Sequence, residues 1–222
     1  GIEPVIDSPG VGKNLQDHLA VLVHYARTTG SPFQELMRFD RIALAMVRAF
    51  LFNSGPATVL PSGLHGYIKT RPELAVPDLQ FLFRGTSPKA GMWFPGFAKK
   101  YEEGFGMRPV LLHPESTGEI LLRSKNPKDK PRIIQNFLDS PNDLPKLVEG
   151  VKIIRDIIGQ SALDKWRGRE LAPGADIKSD EDIAGWIKKT AITAHHPSCS
   201  CPMGITDEKP LDNECRVKGA EG

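Results

Sequence analysis

The sequence predicts an α+β fold in which a mostly antiparallel sheet of about six strands is covered on one face by helices. Short segments with strand character precede two amphipathic helical segments, and strands and helices do not alternate regularly along the chain. Most strand segments are joined by short turns rich in Gly, Pro or Asn, as antiparallel neighbours require. With 222 residues, of which 40% are hydrophobic, the chain is long enough to bury one substantial core.

The strand segments are indicated by alternating apolar residues and by the turns between them. In residues 19–25 every second position is apolar, and Gly30, Ser31 and Pro32 then break the chain. The remaining strands are predicted at residues 63–69, 78–84, 108–113, 118–123 and 132–136.

Three helices are predicted, two of them from apolar residues that recur at helical spacing. The first spans residues 34–51 and ends before the turn-forming residues 53–56. The second spans residues 142–159, where one apolar stripe faces away from charged residues. The third begins after Ser179, whose hydroxyl and following acidic residues can cap and charge-match the first helical turn.

A long connection, residues 85–107, is rich in aromatic residues and is interrupted too often by Gly and Pro to be a helix. Its aromatic content exceeds that of an ordinary solvated loop. Two interpretations are open: a flap packed on the core, and a lid over a substrate pocket lined by Trp93, Phe94 and Phe97.

The charge and cysteine content exclude several classes of function. The 29 basic and 27 acidic residues are interspersed and give a net charge of +2, so no nucleic-acid surface is predicted. No apolar run is long enough to form a transmembrane segment, and no targeting segment is recognisable. Three cysteines do not make a disulfide framework, so we expect a reducing compartment, by default the cytoplasm.

Two adjacent histidines, His195 and His196, are the strongest sign of chemistry in the chain. They precede Pro197 in a run of small residues that extends to Gly204. A histidine held against a rigid proline, where small neighbours let a ligand approach the backbone, is suited to act as a general base. A histidine that only orders its loop is the structural alternative.

Several motifs, in the same order along the chain, resemble those of the glucose-methanol-choline (GMC) flavin oxidoreductases. Residues 9–18 resemble the family's Pro-Gly-Val-Gly-x-Asn-Leu-x-Asp-His segment. Residues 113–124 resemble its strand pair with the pattern Pro-x-Ser-x-Gly-x-(Ile/Val)-x-Leu-(Arg/Ser)-Ser, and residues 194–204 resemble its histidine segment. Together with residues 52–63 and 77–83, the resemblance covers almost the whole chain.

The resemblance implies an FAD-dependent oxidoreductase, like the choline and other alcohol dehydrogenases, that oxidises a primary alcohol to an aldehyde by hydride transfer to the flavin. It also implies that His196, which has the family's position before the proline, handles the hydroxyl proton. In the family the segment that ends at His18 lies near the flavin, which makes Asn14, Asp17 and His18 candidate FAD contacts. Hydrogen bonds within their own loop are an equally good role for these three side chains.

Some parts of the family pattern are changed or missing. The family commonly has Gly and Thr where Cys199 and Ser200 stand, and its second catalytic His or Asn is absent. No Gly-x-Gly-x-x-Gly fingerprint for a dinucleotide is present. We therefore expect a substrate-binding domain, residues 19–195, with two strips, residues 1–18 and 196–222, that lead to a missing FAD-binding domain. Such a chain is expected to bind FAD weakly or not at all by itself.

The substrate and two rival functions stay open at this stage. The three aromatic residues of the long connection would suit an apolar or aromatic alcohol, or would hold a quaternary ammonium group such as that of choline by cation-π attraction. His195, His196, Cys199 and Cys201 are possible metal donors, but their spacing fits a tetrahedral zinc site poorly. The second rival is a domain that has kept the fold without catalysis.

Overall fold

The computed structural model describes residues 6–59 and 62–220, which form an antiparallel sheet with a pair of helices packed on one of its faces. The first five residues of the predicted strip 1–18 and the last two of the strip 196–222 lie outside the described residues. The α+β class predicted from the sequence is confirmed.

Strands and helices follow one another along the described part of the chain. The strands are β1 (Leu19–Ala20), β2 (Val23–Arg27), β3 (Ser62–Ile68), β4 (Leu79–Arg84), β5 (Gly104–Leu111), β6 (Glu119–Leu121), β7 (Arg132–Ile134), β8 (Arg167–Ala172) and β9 (Ile192–Thr193). The helices are α1 (Pro32–Leu36), α2 (Phe39–Phe52), α3 (Asp143–Gly159) and α4 (Asp180–Thr190). Within the described ranges, none of them combines the length and the apolar character that a membrane-spanning helix needs.

Seven of the strands form one antiparallel sheet whose centre is β5. On one side β5 pairs with β4, and β4 pairs with β3. On the other side β1 pairs with the C-terminal end of β5 and β2 with its N-terminal end, so β1 and β2 share one position in the sheet. The outer strands on this side are β9 beside β1 and β8 beside β2, while β6 and β7 form a separate ribbon.

The hydrophobic core lies between this sheet and helix α3. Leu79 and Leu111 are directly opposite each other on β4 and β5, and both are fully buried. Helix α3 approaches so closely that a Cβ at Gly150 would lie 2.8 Å from Leu79 Cδ1, and glycine therefore fits best at this position. Ile154 of α3 and Ile187 of α4 complete this part of the core.

Helix α4 begins where the sequence predicts. The Ser179 hydroxyl accepts a hydrogen bond from the Asp182 backbone N–H at 3.1 Å, and Ser179 donates to the Asp182 carboxylate in return. Asp180 and Glu181 add negative charge at the positive end of the helix dipole. A local pattern is sufficient here because the capping contacts join residues only three positions apart.

The prediction of a single helix over residues 34–51 is wrong, because the structure divides this segment into α1 and α2. At the break the backbone pairs with a distant residue. The Trp93 N–H donates to the Met37 carbonyl at 3.2 Å, and the Phe39 N–H donates to the Trp93 carbonyl at 3.0 Å. The helical spacing of the apolar residues does not indicate these long-range hydrogen bonds, so it does not predict the break.

The sequence pattern does not indicate three parts of the sheet. Strand β5 begins at Gly104, inside the predicted connection 85–107, and strands β8 and β9 have no counterpart among the predictions. Strand β8 carries Arg167, Arg169 and Glu170, so it lacks the apolar alternation of a strand with one buried face. Strand β9 has two residues and depends on β1 for its pairing.

Replacement of Ile154 by Ala is expected to destabilise the domain strongly, because this side chain is fully buried against the sheet. Loss of such a side chain costs about 2–5 kcal/mol in the free energy of unfolding. The matched control is Ile157→Ala on the same helix, since Ile157 is 37% exposed. Urea denaturation followed by circular dichroism measures both variants, and equal losses of stability would contradict this assignment of the core.

Candidate active site

The two strips predicted to flank the domain lie side by side. The backbones of Gln16 and Ser198 exchange two N–H to carbonyl hydrogen bonds, at 3.0 and 2.8 Å. The Ala194 N–H donates to the His18 carbonyl at 2.8 Å. Backbone pairing therefore holds the Asn-Leu-Gln-Asp-His segment against the histidine segment.

Asp17 fixes the loop that carries His196. Its carboxylate accepts a hydrogen bond from the His196 backbone N–H at 2.9 Å and another from the Thr193 hydroxyl. Thr193 Oγ1 in turn accepts a hydrogen bond from the His195 backbone N–H at 2.8 Å. His195 is exposed and has a left-handed backbone conformation. Asp17 is only 4% exposed, so little water competes for these charge-assisted bonds.

The side chains of His18 and His196 meet at this junction. Their Nδ1 atoms are 3.0 Å apart, and their rings are nearly perpendicular. A hydrogen bond at this contact requires one Nδ1 to donate and the other to accept, so the pair carries at most one positive charge. Burial lowers the pKa of His18 and the neighbouring His196 lowers it further, while the charge of Asp17 opposes these effects. The His18 imidazole is therefore mostly neutral near pH 7.

His196 borders a pocket of about 750 Å³. Phe33 of helix α1 and Met37, which directly follows this helix, line one side of the pocket. The sheet contributes a mainly polar wall from three adjacent strands, formed by His65, Tyr67, Gln80, Leu82, Arg84 and Arg108.

The strand register explains why these wall residues lie together. Directly opposite residues in an antiparallel sheet share a face, and residues two apart on one strand also share it. Gln80 is opposite Tyr67, and Leu82 is opposite Arg108, so β3, β4 and β5 present these side chains on the same face. Leu79, with the opposite parity, belongs to the core under α3. Gln80 also donates from Nε2 to the Tyr67 hydroxyl at 3.0 Å, which orders the wall.

The three residues predicted as FAD contacts have different surroundings. Asn14 is exposed with a left-handed backbone, and its side chain makes no hydrogen bond to other described residues. Asp17 is buried and bound to the histidine loop, and His18 contacts His196. A role of these residues toward FAD stays a prediction.

The aromatic residues of the long connection do not line the pocket beside the histidine pair. Trp93 is buried, its Nε1 donates to the Gln34 carbonyl at 2.7 Å, and Lys100 Nζ lies 4.4 Å from the ring centroid. Phe94 and Phe97 pack on each other with centroids 6.0 Å apart, and Phe97 is 90% exposed. The connection is therefore attached to α1 through Trp93, and a substrate role for the three aromatic residues stays a prediction.

No motif in the sequence indicates that Tyr67, Arg84 and Arg108 belong to one site. The alternation within residues 78–84 is a usable signal for the face that Arg84 occupies. Arg108 joins that face only through the pairing of β4 with β5, which the sequence does not specify. These residues are found from the strand register and not from a local pattern.

One departure of the histidine segment from the family pattern falls at a left-handed backbone position. Cys199 has a left-handed backbone with φ 65°, a conformation that favours the glycine that the family commonly has at this position. Cys199 and Cys201 are free and exposed. In residues 6–59 and 62–220, no group of three or more His, Cys, Asp or Glu side chains is arranged to hold a metal ion.

Comparisons with known sequences identify relatives of this chain. Residues 114–222 match the family model described as GMC oxidoreductase. The chain is 37% identical over 224 residues to the oxygen-dependent choline dehydrogenase of Pseudomonas fluorescens (strain SBW25), and 36% identical to that of Pseudomonas entomophila (strain L48). Each alignment covers 99% of this chain and 38% of the relative, so the chain spans well under half the length of these proteins.

Solved structures share the fold. A formate oxidase from Aspergillus oryzae RIB40 superposes with a TM-score of 0.83 at 20% identity, over 97% of this chain and 42% of that protein. Pyridoxine 4-oxidase from Mesorbium loti superposes with a TM-score of 0.75 at 22% identity, over 99% of this chain and 38% of that protein. Because the motifs, the family match and the fold agree, the chain belongs to the GMC oxidoreductase family of flavoproteins.

Proposed function

We propose that this chain is the substrate-binding part of an FAD-dependent alcohol oxidoreductase. Residues 19–195 form the substrate domain, and the strips 1–18 and 196–222 lead to the FAD-binding domain. The proposed reaction is oxidation of a primary alcohol to an aldehyde, in which bound flavin would accept the hydride and His196 would accept the hydroxyl proton. The observation that carries this proposal is the contact of His18 with His196 at the border of a pocket large enough for a small molecule. The relatives named choline dehydrogenase support the reaction class.

In this mechanism the proton is accepted by Nε2 of His196. Nδ1 of the same ring is engaged with Nδ1 of His18 at 3.0 Å, whereas Nε2 makes no hydrogen bond to other described residues. When His196 Nδ1 donates to His18, the Nε2 atom carries the lone pair that accepts a hydroxyl proton. A neutral His18 then stabilises the imidazolium by accepting its Nδ1–H bond.

Asp17 acts as a positioning residue in the same mechanism. Its carboxylate binds the His196 backbone N–H and the Thr193 hydroxyl, and it does not reach the pocket itself. Binding the Thr193 side chain and the His196 backbone keeps the His196 imidazole at one place on the pocket border. A general base needs such placement, because proton transfer requires hydrogen-bond distance to the substrate hydroxyl.

The described residues fit one edge of a flavin site and not a complete one. Gly10 and Gly12 do not form a phosphate cradle, because a Cβ there would lie 2.0 Å from the Glu208 carbonyl oxygen and 2.3 Å from the Ile120 carbonyl oxygen. These glycines let the strip pack against its own chain. Bound flavin would supply the hydride acceptor, and Asn14, an exposed polar residue of the first strip, is proposed to contact it.

The surface of the strips supports the proposal that another domain covers them. Large apolar side chains are exposed on both strips, namely Val11, Met203, Ile205 and Val217. Exposed apolar side chains of this kind are typical of a surface that another protein unit covers. We propose the cytoplasm as the location, because exposed free cysteines are kept reduced there.

The purified chain is expected to bind FAD weakly or not at all, since the residues that would hold the pyrophosphate are not among those described. The measurement is the flavin absorbance spectrum of protein passed through gel filtration after incubation with FAD. A known FAD-containing oxidase treated in the same way is the control. A stoichiometric yellow complex would contradict the proposed division into a substrate part and a separate FAD-binding domain.

In an enzyme completed by an FAD-binding domain, His196→Ala is expected to lower turnover by about 10²–10⁴-fold, because the general base is lost. The flavin should remain bound, since His196 is not proposed to hold it. His195→Ala is the matched control, because the neighbouring His195 does not line the pocket and its side chain makes no hydrogen bond to described residues. A His196→Ala enzyme with full turnover would remove His196 from the mechanism.

Asp17→Asn is expected to lower the pKa of His18, because the negative charge that favours the His18 imidazolium is removed. Histidine ring resonances of the purified chain, followed by NMR as a function of pH, measure this change. Asp212→Asn is the control, a charge removal at a partly buried carboxylate that binds Arg216.

The same substitution should lower kcat of a completed enzyme about tenfold or more, since it loosens the loop of the general base. Rescue of kcat by Asp17→Glu would show that the charge is needed. An unchanged His18 titration would contradict the placement of the Asp17 charge beside the histidine pair.

A further inference from the structure

Two arginines, Arg84 and Arg108, lie on the sheet wall of the pocket that His196 borders. Leu82 is directly opposite Arg108, and Gly106 is directly opposite Arg84, so the two arginines are diagonal neighbours on one face of β4 and β5. Diagonal neighbours in an antiparallel pair are about 7–8 Å apart. At this spacing two long side chains can hold one small group between them.

Neither guanidinium is neutralised by the described part of the chain. The ion pairs found there all involve other basic side chains. No Asp or Glu of the described residues lines the pocket. Glu103, a buried carboxylate near its edge, is already bound by the Ser31 hydroxyl and by the backbone N–H groups of Ser87 and Gly104.

The two positive charges act on each other in a partly dry site. Both arginines are half-buried, and burial together with the charge of Arg84 lowers the pKa of the Arg108 guanidinium. Like charges at this distance repel each other, and the repulsion grows as water is excluded. An anion bound between them removes the repulsion, and guanidinium groups bind carboxylate and phosphate oxygens in bidentate geometry.

A cationic alcohol meets two positive charges in this pocket and no carboxylate among the described lining residues. Of the three aromatic residues predicted to attract a quaternary ammonium group, none lines this pocket, and Trp93 is buried. One face of its ring is taken by Lys100, whose Nζ is 4.4 Å from the centroid. The charge of the pocket is therefore opposite to what a choline-type substrate requires.

We propose that the substrate is an alcohol with an anionic group, a carboxylate or a phosphate, that is bound by Arg84 and Arg108. Its hydroxyl points toward His196, and this orientation rests on the proposed function. Phe33 and Met37 cover the carbon chain between the two ends. The charge preference itself depends only on the pocket wall.

The experiment compares four small alcohols in binding to the purified chain by isothermal titration calorimetry. They are 3-hydroxypropanoate, its neutral amide, 2-hydroxyethyl phosphate and choline. At least one anionic alcohol should bind about tenfold or more tightly than the amide, and choline should bind most weakly. The tighter of the two anionic alcohols identifies carboxylate or phosphate as the recognised group.

Substitutions of the arginines test whether they carry the preference. Arg84→Gln and Arg108→Gln should each weaken anion binding by about tenfold or more without changing binding of the neutral amide. Arg71→Gln is the matched control, since Arg71 is an exposed arginine outside this pocket. If Arg108→Gln fails to fold by circular dichroism, Arg108→Lys keeps the charge and should retain part of the preference.

Several results would overturn the proposal: equal binding of anionic and neutral alcohols, tighter binding of choline, no saturable binding of any alcohol, or anion binding that is insensitive to both arginine substitutions. NMR resonances of the His196 ring, followed during the same titrations, distinguish a failure of the charge preference from a failure of the proposed function. Arginine-dependent anion binding that leaves those resonances unchanged would contradict the role of His196 and not the charge preference. If the neutral amide shifts the His196 resonances and neither anionic alcohol binds more tightly than the amide, the charge preference is contradicted and the role of His196 is not.

Discussion

Asp17 places a buried negative charge between two segments that are distant in the chain. A buried carboxylate is costly unless its oxygens accept hydrogen bonds, and here the His196 N–H and the Thr193 hydroxyl provide them. Any displacement of the histidine loop would leave this charge without partners. The backbone pairing of Gln16 with Ser198 extends the same junction. The position of the His196 imidazole thus follows from the need to satisfy one carboxylate.

The sheet gives that imidazole a pocket because its two faces differ. On one face Leu79 and Leu111 bury their side chains under α3, and the core formed there stabilises the strands. On the other face the alternate positions carry Gln80, Arg84 and Arg108. Strand β5 pairs with strands on both of its sides, so it links the core to the pocket wall. A strand that alternates in this way lets one element serve stability and recognition together.

Membership of the GMC family and the charge of the pocket carry different information. The sequence is similar to relatives named choline dehydrogenase over 99% of this chain, and this similarity bears on the class of reaction. Substrate preference depends on the side chains that line the pocket, which vary on a common fold. Arg84 and Arg108 give this pocket a positive charge, so a preference unlike that of a choline enzyme is compatible with the proton transfer proposed for His196. The proposed reaction and the proposed substrate therefore rest on different residues of this chain.

The sequence by itself determined the features whose physical cause lies within a few residues. The cap at Ser179 joins residues three positions apart, the apolar stripe of residues 142–159 requires only helical spacing, and the histidine segment is a contiguous motif. These local signals were enough to predict the α+β class and to point to His195 and His196, and the resemblance to the GMC family then favoured His196 as the residue that handles the proton. Only the tertiary structure decided which distant residues meet. The break before α2 depends on hydrogen bonds to Trp93, and the neighbouring positions of Arg84 and Arg108 depend on the register of β4 against β5. Pairing of distant strands is set by the packing of the whole domain, so a local sequence pattern cannot predict it.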